Sequence, residues 1–86
     1  MTPQTLQTVR QLAVETLNVP ESTLARTTTL REAGIDSLAA IDLIFAVEGH
    51  YGISIAEAEV EQMRSLTDLA ASVDRLTAHE ARRHGE

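Results

Sequence analysis

Ser37-Leu38-Ala39-Ala40-Ile41-Asp42-Leu43-Ile44-Phe45-Ala46-Val47-Glu48-Gly49-His50-Tyr51, closed by Gly52, decides the fold of this chain. The run is rich in aliphatic residues and shows no strand-like alternation, so it predicts a helix from about Ser37 to Tyr51 that stops at Gly52. At 3.6 residues per turn its apolar residues divide into two groups. Ala40, Leu43, Ile44, Val47 and Tyr51 share one side and suffice to pack a core. Leu38, Ile41 and Phe45 gather on the opposite side, flanked by Asp42 and Glu48. Gly49 lies inside the run and costs about 1 kcal/mol relative to Ala.

Outward from this helix the pattern stays helical. Thr2-Pro3 opens a first helix with Thr as N-cap and Pro at the first helical position. Leu6, Val9, Ala13 and Leu17, with Leu12 beside them, follow at helical spacing, and Asn18 and Pro20 end the run. The connection from Val19 to Asp36 is long for a small domain, and Val19, Leu24, Leu30 and Ile35 punctuate it as if to pin it to the bundle. After Ile53-Ser54-Ile55 a short acidic turn or helix is expected over about Ala56 to Met63. Ser65 then caps a last helix, with Asp68 in a capping-box position and a buried stripe of Leu66, Leu69, Val73 and Leu76. The apolar pattern is lost from about His79. The expectation is an all-α bundle over residues 1–78, of three main helices and one short one, with a frayed tail over 79–86.

Eighty-six residues make one small domain in which a single core is marginal. There is no cysteine to supply a disulfide or a thiolate metal site, and Phe45 and Tyr51 are the only Phe and Tyr, so stability rests on aliphatic packing. No run approaches membrane-span length and no signal-peptide pattern opens the chain, so a soluble, cytoplasmic monomer without stable membrane insertion is expected. The net charge of −6 is unevenly placed. Glu32, Asp36, Asp42, Glu48, Glu57, Glu59 and Glu61 fall between residues 32 and 61 without one Lys or Arg. Such a zone repels nucleic acid and steers basic partners, although a merely solubilising surface has the same charge.

Three short helices can hardly cover both sides of the Ser37–Tyr51 helix. Its second face is therefore a candidate partner surface: Leu38, Ile41 and Phe45 as apolar anchors, Asp42 and Glu48 as rim carboxylates. The plainer alternative is that Leu38 or Phe45 tucks against the long loop.

Ser37 is the one residue whose position invites chemistry. As an autonomous nucleophile it lacks a base, because His50 is thirteen residues further along the same helix, roughly 20 Å away at about 1.5 Å per residue. His79 and His84 lie in the tail, and Gly34-Ile35-Asp36-Ser37-Leu38-Ala39 does not match the G-x-S-x-G elbow. His79 and His84 are also spaced five apart without an accompanying acid cluster, so no metal site is expected. No enzyme is read here. The residues leave three roles open for Asp36-Ser37: an N-cap and nothing more, a phosphorylated hydroxyl, or the attachment point of a phosphate-linked cofactor at a helix N-terminus.

Ala33-Gly34-Ile35-Asp36-Ser37-Leu38, followed by Ile41-Asp42-Leu43 and Ala46-Val47-Glu48, closely resembles the acyl carrier proteins, and the likeness spans nearly the whole chain. The resemblance implies that Ser37 is esterified to 4′-phosphopantetheine by a phosphopantetheinyl transferase using coenzyme A. The thiol of the arm would then hold acyl groups as thioesters. It also implies that an acyl-loading ligase or acyltransferase, a ketosynthase and other synthase enzymes read the second helix through basic patches, meeting Asp36, Asp42 and Glu48 around Leu38, Ile41 and Phe45. A bundle able to shelter acyl chains is a further implication of the family.

Two departures bear on the pathway. Gly49 and His50 stand where common bacterial fatty-acid carriers continue with acids, and Ala56 stands where proline is frequent. A discrete carrier for polyketide or modified fatty acyl biosynthesis is expected from this, ahead of the housekeeping fatty-acid carrier. A peptidyl or aminoacyl carrier shares the bundle and modified serine, but Asp36 and the net charge favour the acyl type. An unmodified acidic adaptor is the alternative of a different class.

Overall fold

The computed structural model describes residues 3–27 and 29–84, with side chains through Ala78. Five helices follow in order: α1 (Pro3–Leu17), α2 (Glu21–Arg26), α3 (Ser37–Tyr51), α4 (Glu57–Val60) and α5 (Leu66–His84). Among the described residues there is no strand.

The strut of the bundle is α1, which packs against α3, α5 and α2. It begins at Pro3, while the Thr2 cap expected from the sequence lies outside the described residues. Val9 and Ala13 are completely buried, and Leu6, Leu12 and Leu17 pack around them at the margin of the core. The helix ends as its sequence directs. Asn18 turns left-handed at φ 57°, and its N–H donates to the Val14 carbonyl at 3.0 Å.

The connection between α1 and α3 differs from a pinned loop alone, because it contains α2. Pro20 takes the N-cap position with extended backbone, and its carbonyl accepts the N–H groups of Thr23 and Leu24. Six residues are too few to reveal a 3.6-residue period, and Pro20 reads as a breaker until its missing N–H is placed where a helix start needs none. Leu24 of α2 is buried, and Ile35 further along is 5% exposed, so the connection is anchored at both. Val19 and Leu30 add partly buried contacts.

Opposite α1, the core is filled by Leu43, Ile44 and Val47 of α3 and Leu69, Ala70 and Val73 of α5, with Ile55 from the α3–α4 link. Burying each large aliphatic side chain contributes about 1.5–3 kcal/mol. The α5 stripe follows the expected spacing, although Leu66 and Leu76 are only partly buried and Ala70 joins the core. Its start is a shifted capping box. The Asp68 N–H donates to Ser65 Oγ at 3.1 Å, while Asp68 Oδ2 accepts from the N–H of Arg64, one residue earlier than the usual return. The backbone of α5 stays helical to His84, past the point where apolar spacing lapses at His79. A side-chain bond from Thr5 Oγ1 to Asp74 ties the start of α1 to α5.

Candidate functional site

The approach to Ser37 is built by a tight turn. Thr29 and Glu32 cap each other: the Thr29 N–H donates to Glu32 Oε1 at 3.0 Å and the Glu32 N–H to Thr29 Oγ1 at 3.1 Å. Gly34 then adopts φ 80°, where an L side chain would be strained, and lets Ile35 turn inward. The Ile35 N–H donates to the Leu30 carbonyl, and the Leu30 N–H to the Arg64 carbonyl, both at 2.9 Å. The segment before the serine is thereby fixed to the turn preceding α5. Thr29-x-x-Glu32 is a capping-box pattern in the sequence, but a turn and not an apolar helical run follows it, so helix-start signals alone do not single it out.

Asp36 is the N-cap of α3. Its backbone is extended, its Oδ1 accepts from the Ala39 N–H at 2.8 Å, and its carbonyl accepts from the Ala40 N–H at 2.8 Å. Ser37 is the first residue inside the helix and is exposed. With Asp36 as the cap, the Ser37 hydroxyl is free of capping duty. Among the described residues no protein acceptor takes the N–H groups of Ser37 and Leu38. The positive end of α3 thus faces solvent beside an unengaged hydroxyl. A phosphate ester there would meet two open donors and the helix macrodipole, so these residues fit a phosphate-linked group.

Around α3 the two apolar groups separate cleanly. Leu43, Ile44 and Val47 are buried, with Ala40 and Tyr51 at the edge of the core. Leu38 is 75% exposed, Phe45 65% and Ile41 42%. None of the three tucks against the connection. The spacing of 38, 41 and 45 places them in one stripe running from Ser37 along the helix.

The carboxylates around this stripe are not equivalent. Asp42 is exposed and engaged with nothing among the described residues. Asp36 is exposed but spends one oxygen on its cap. Glu48 is half-buried, and its Oε2 accepts from the Ile55 N–H at 2.7 Å, so it fastens the α3–α4 link. A bond from a side chain to a backbone seven residues away has no sequence signature, which is why Glu48 reads as a rim carboxylate until the fold is seen.

At the far end α3 stops at Gly52, left-handed at φ 66°, with the N–H groups of Gly52 and Ile53 both donated to the Glu48 carbonyl. Gly49 leaves the helix unbroken. His50 and Tyr51 meet edge to face at that end, with ring centroids 4.9 Å apart, at the opposite end of α3 from Ser37. The structure therefore brings together Asp36, Ser37, Leu38, Ile41, Asp42 and Phe45, and supplies no histidine beside the serine among the described residues.

Residues 7–73 match the family model described as a phosphopantetheine attachment site. The acyl carrier protein of Campylobacter hominis is 30% identical over 74 residues, which cover 85% of this chain and 94% of that protein. The acyl carrier protein of Zymomonas mobilis subsp. mobilis is 30% identical over 71 residues, 81% of this chain and 91% of that protein. Acyl carrier protein 3, chloroplastic, of Hordeum vulgare is 28% identical over 75 residues, 86% of this chain and 57% of that protein. A match over most of the chain, on a helical bundle of this design, has one meaning: the protein belongs to the acyl carrier protein family, whose cofactor is covalently bound 4′-phosphopantetheine.

Proposed function

We propose that Ser37 is the residue esterified to 4′-phosphopantetheine and that the protein presents acyl thioesters to the enzymes of fatty acid, polyketide or related specialised biosynthesis. The observation that carries this is the exposed Ser37 hydroxyl at the first position of α3, with Asp36 already acting as cap and two N–H groups left open. The bound arm supplies a terminal thiol, which this cysteine-free chain has no other way to provide. The chain's own part is to place that arm. Ile35 and the Leu30–Arg64 bond hold the attachment point still, so that the end of the arm moves while its root does not.

The partner surface in this reading is the stripe of Leu38, Ile41 and Phe45 with Asp36 and Asp42 beside it. A phosphopantetheinyl transferase and the loading and condensing enzymes would cover the apolar residues and meet the carboxylates with basic side chains. Glu48 contributes to that surface only indirectly, through the link it fastens. The carrier acts in the cytoplasm as a monomer, and no described helix is long and apolar enough to cross a membrane.

Among pathways we favour a specialised one, polyketide-like or modified fatty acyl, because Gly49-His50 thins the negative charge at the end of α3 and Ala56 caps α4 where proline is frequent. Complementation of a strain lacking its housekeeping carrier tests this part: failure to rescue is expected, and full rescue would refute it.

Attachment itself is tested by incubating the protein with coenzyme A and a broad-range transferase and reading intact mass. One phosphopantetheine is expected on the native chain and none on Ser37→Ala. An unchanged mass in the native chain would support the unmodified adaptor, and an equal gain in Ser37→Ala would move the site elsewhere. Loading of the modified form by an amino-acid-activating enzyme, but by no acyl-activating one, would favour the peptidyl carrier.

A further inference from the structure

The α4 segment is held differently from every other helix. It has four residues, none of them buried, and it takes no part in the close helix pairs that α1 makes with α2, α3 and α5. Its apolar attachments are Val60 and, just after it, Met63, both only partly buried. Both ends of the segment are fixed by hydrogen bonds to other elements. Glu48 Oε2 accepts from the Ile55 N–H before it, and the Arg64 carbonyl accepts from the Leu30 N–H after it, where the Arg64 N–H also donates to Asp68 Oδ2 of α5.

Between those two ends, among the described residues, the polar attachments of the segment to the bundle are all made by Glu59. Ser72 of α5 is the buried polar residue of the described core, 8% exposed, and its Oγ donates to Glu59 Oε1 at 2.8 Å. Arg75, one turn further along α5, forms an ion pair with the same oxygen. With α4 closed but the Glu59 carboxylate removed, Ser72 would lose its partner where water has little access. Glu59 is therefore bound to α5 by a sheltered hydroxyl on one side and an exposed guanidinium on the other.

We propose that Glu59 is a latch and that α4 is a flap, hinged near Ile55 and Arg64, which opens as a unit without unfolding the bundle. Its stability is local: the α1, α3 and α5 core does not run through it, so its opening free energy lies below that of global unfolding. Opening would expose Val60 and Met63 together with the Ala71 and Ser72 face of α5, which with Ala56, Ala58 and Gln62 lines a shallow groove between the two helices. The inference does not depend on the modification of Ser37, and it is tested on the full chain without the arm.

The experiment is amide hydrogen exchange, residue by residue. The informative amides are Val60 and Met63, bonded within the flap to Ala56 and Val60, against Val9, Val47 and Val73 in the core. In Glu59→Ala, exchange at Val60 and Met63 is expected to rise about tenfold or more while the three core amides keep wild-type rates. Glu59→Gln retains an acceptor for Ser72 and loses the charge, so it should accelerate the same amides less, and it carries the test should Glu59→Ala fold poorly. Arg75→Gln should change them by less than about threefold, because the Arg75 side chain is 62% exposed. The proposal is overturned if Val60 and Met63 are unprotected in the wild-type chain. It is equally overturned if neither Glu59 variant moves them by more than about twofold, or if core amides accelerate in step.

Discussion

The two sides of α3 carry nearly the same chemistry and have opposite fates. Leu43, Ile44 and Val47 are sealed against α1 and the rest of the core, whereas Leu38, Ile41 and Phe45, no less apolar, face solvent. Residue type cannot explain the difference. What decides is supply: four other helices, two of them very short, provide apolar surface for one side of α3 only. An uncovered apolar stripe of this kind, starting beside an exposed hydroxyl, is the surface that the proposed function gives to partner enzymes. The lesson is that amphipathicity identifies a core helix, but a helix apolar all round in a small domain identifies a core helix with a second appointment.

The sharpest way to break this comparison is to truncate one residue on each side. Leu43→Ala should cost about 2–5 kcal/mol, since Leu43 is 1% exposed and its removal leaves a cavity. Phe45→Ala should stay within about 0.5 kcal/mol despite deleting a larger side chain. Urea unfolding followed by circular dichroism, with unchanged m, measures both. Equal losses would mean that Phe45 is part of the core and that the stripe is not free.

The next effect should appear in function. Leu38→Ala and Phe45→Ala are each expected to lower the transferase kcat/KM by about tenfold or more, as anchors at the centre of an interface do. Asp42→Lys should also impair transfer, with helicity intact, and more at low salt than at high. Transfer unchanged in Asp42→Lys would remove that residue from the partner surface. An apolar pair without effect would remove the stripe itself.

How far the sequence could carry this reading follows from the range of each interaction. The limits of α3, its two faces and the pinning of the connection were all legible, because Asp36, Gly52 and the 3.6-residue period act over a few neighbours. Ile35 and Leu24 announced themselves as anchors by being apolar in a polar stretch. The helix α2 was hidden, being too short to display a period and introduced by a proline. Glu48 and Glu59 were hidden for a different reason. Each carboxylate looks like surface charge until folding sets Ile55, Ser72 and Arg75 against it. Local rules are written in the sequence. Long-range polar contacts exist only once the bundle has brought the partners together.

Those two readings of a carboxylate can be separated on α3 itself, at a smaller scale. Asp36→Ala removes the side-chain acceptor for the Ala39 N–H and should cost about 0.5–2 kcal/mol. Glu48→Gln keeps an oxygen for the Ile55 N–H and should cost less than Asp36→Ala, the difference being visible in the same urea titrations. A larger loss in Glu48→Gln would show that its charge, and not only its oxygen, holds the link.

The smallest effect tests the end of the exposed stripe. Gly49 falls on the same side of α3 as Leu38 and Phe45 by helical periodicity, it is exposed, and a Cβ built there meets nothing within 4 Å. Its backbone is already helical, so Gly49→Ala should stabilise by about 0.4–1 kcal/mol, chiefly by restricting the unfolded chain. Gly52 offers the control, because a Cβ there also meets nothing, yet its φ of 66° belongs to the left-handed region. Gly52→Ala should therefore destabilise by about 1 kcal/mol. Opposite signs at two equally open glycines would establish that backbone conformation, not space, governs this end of α3. The same sign at both would mean that the helix end relaxes when substituted, and that the stripe is held less rigidly than its buried counterpart.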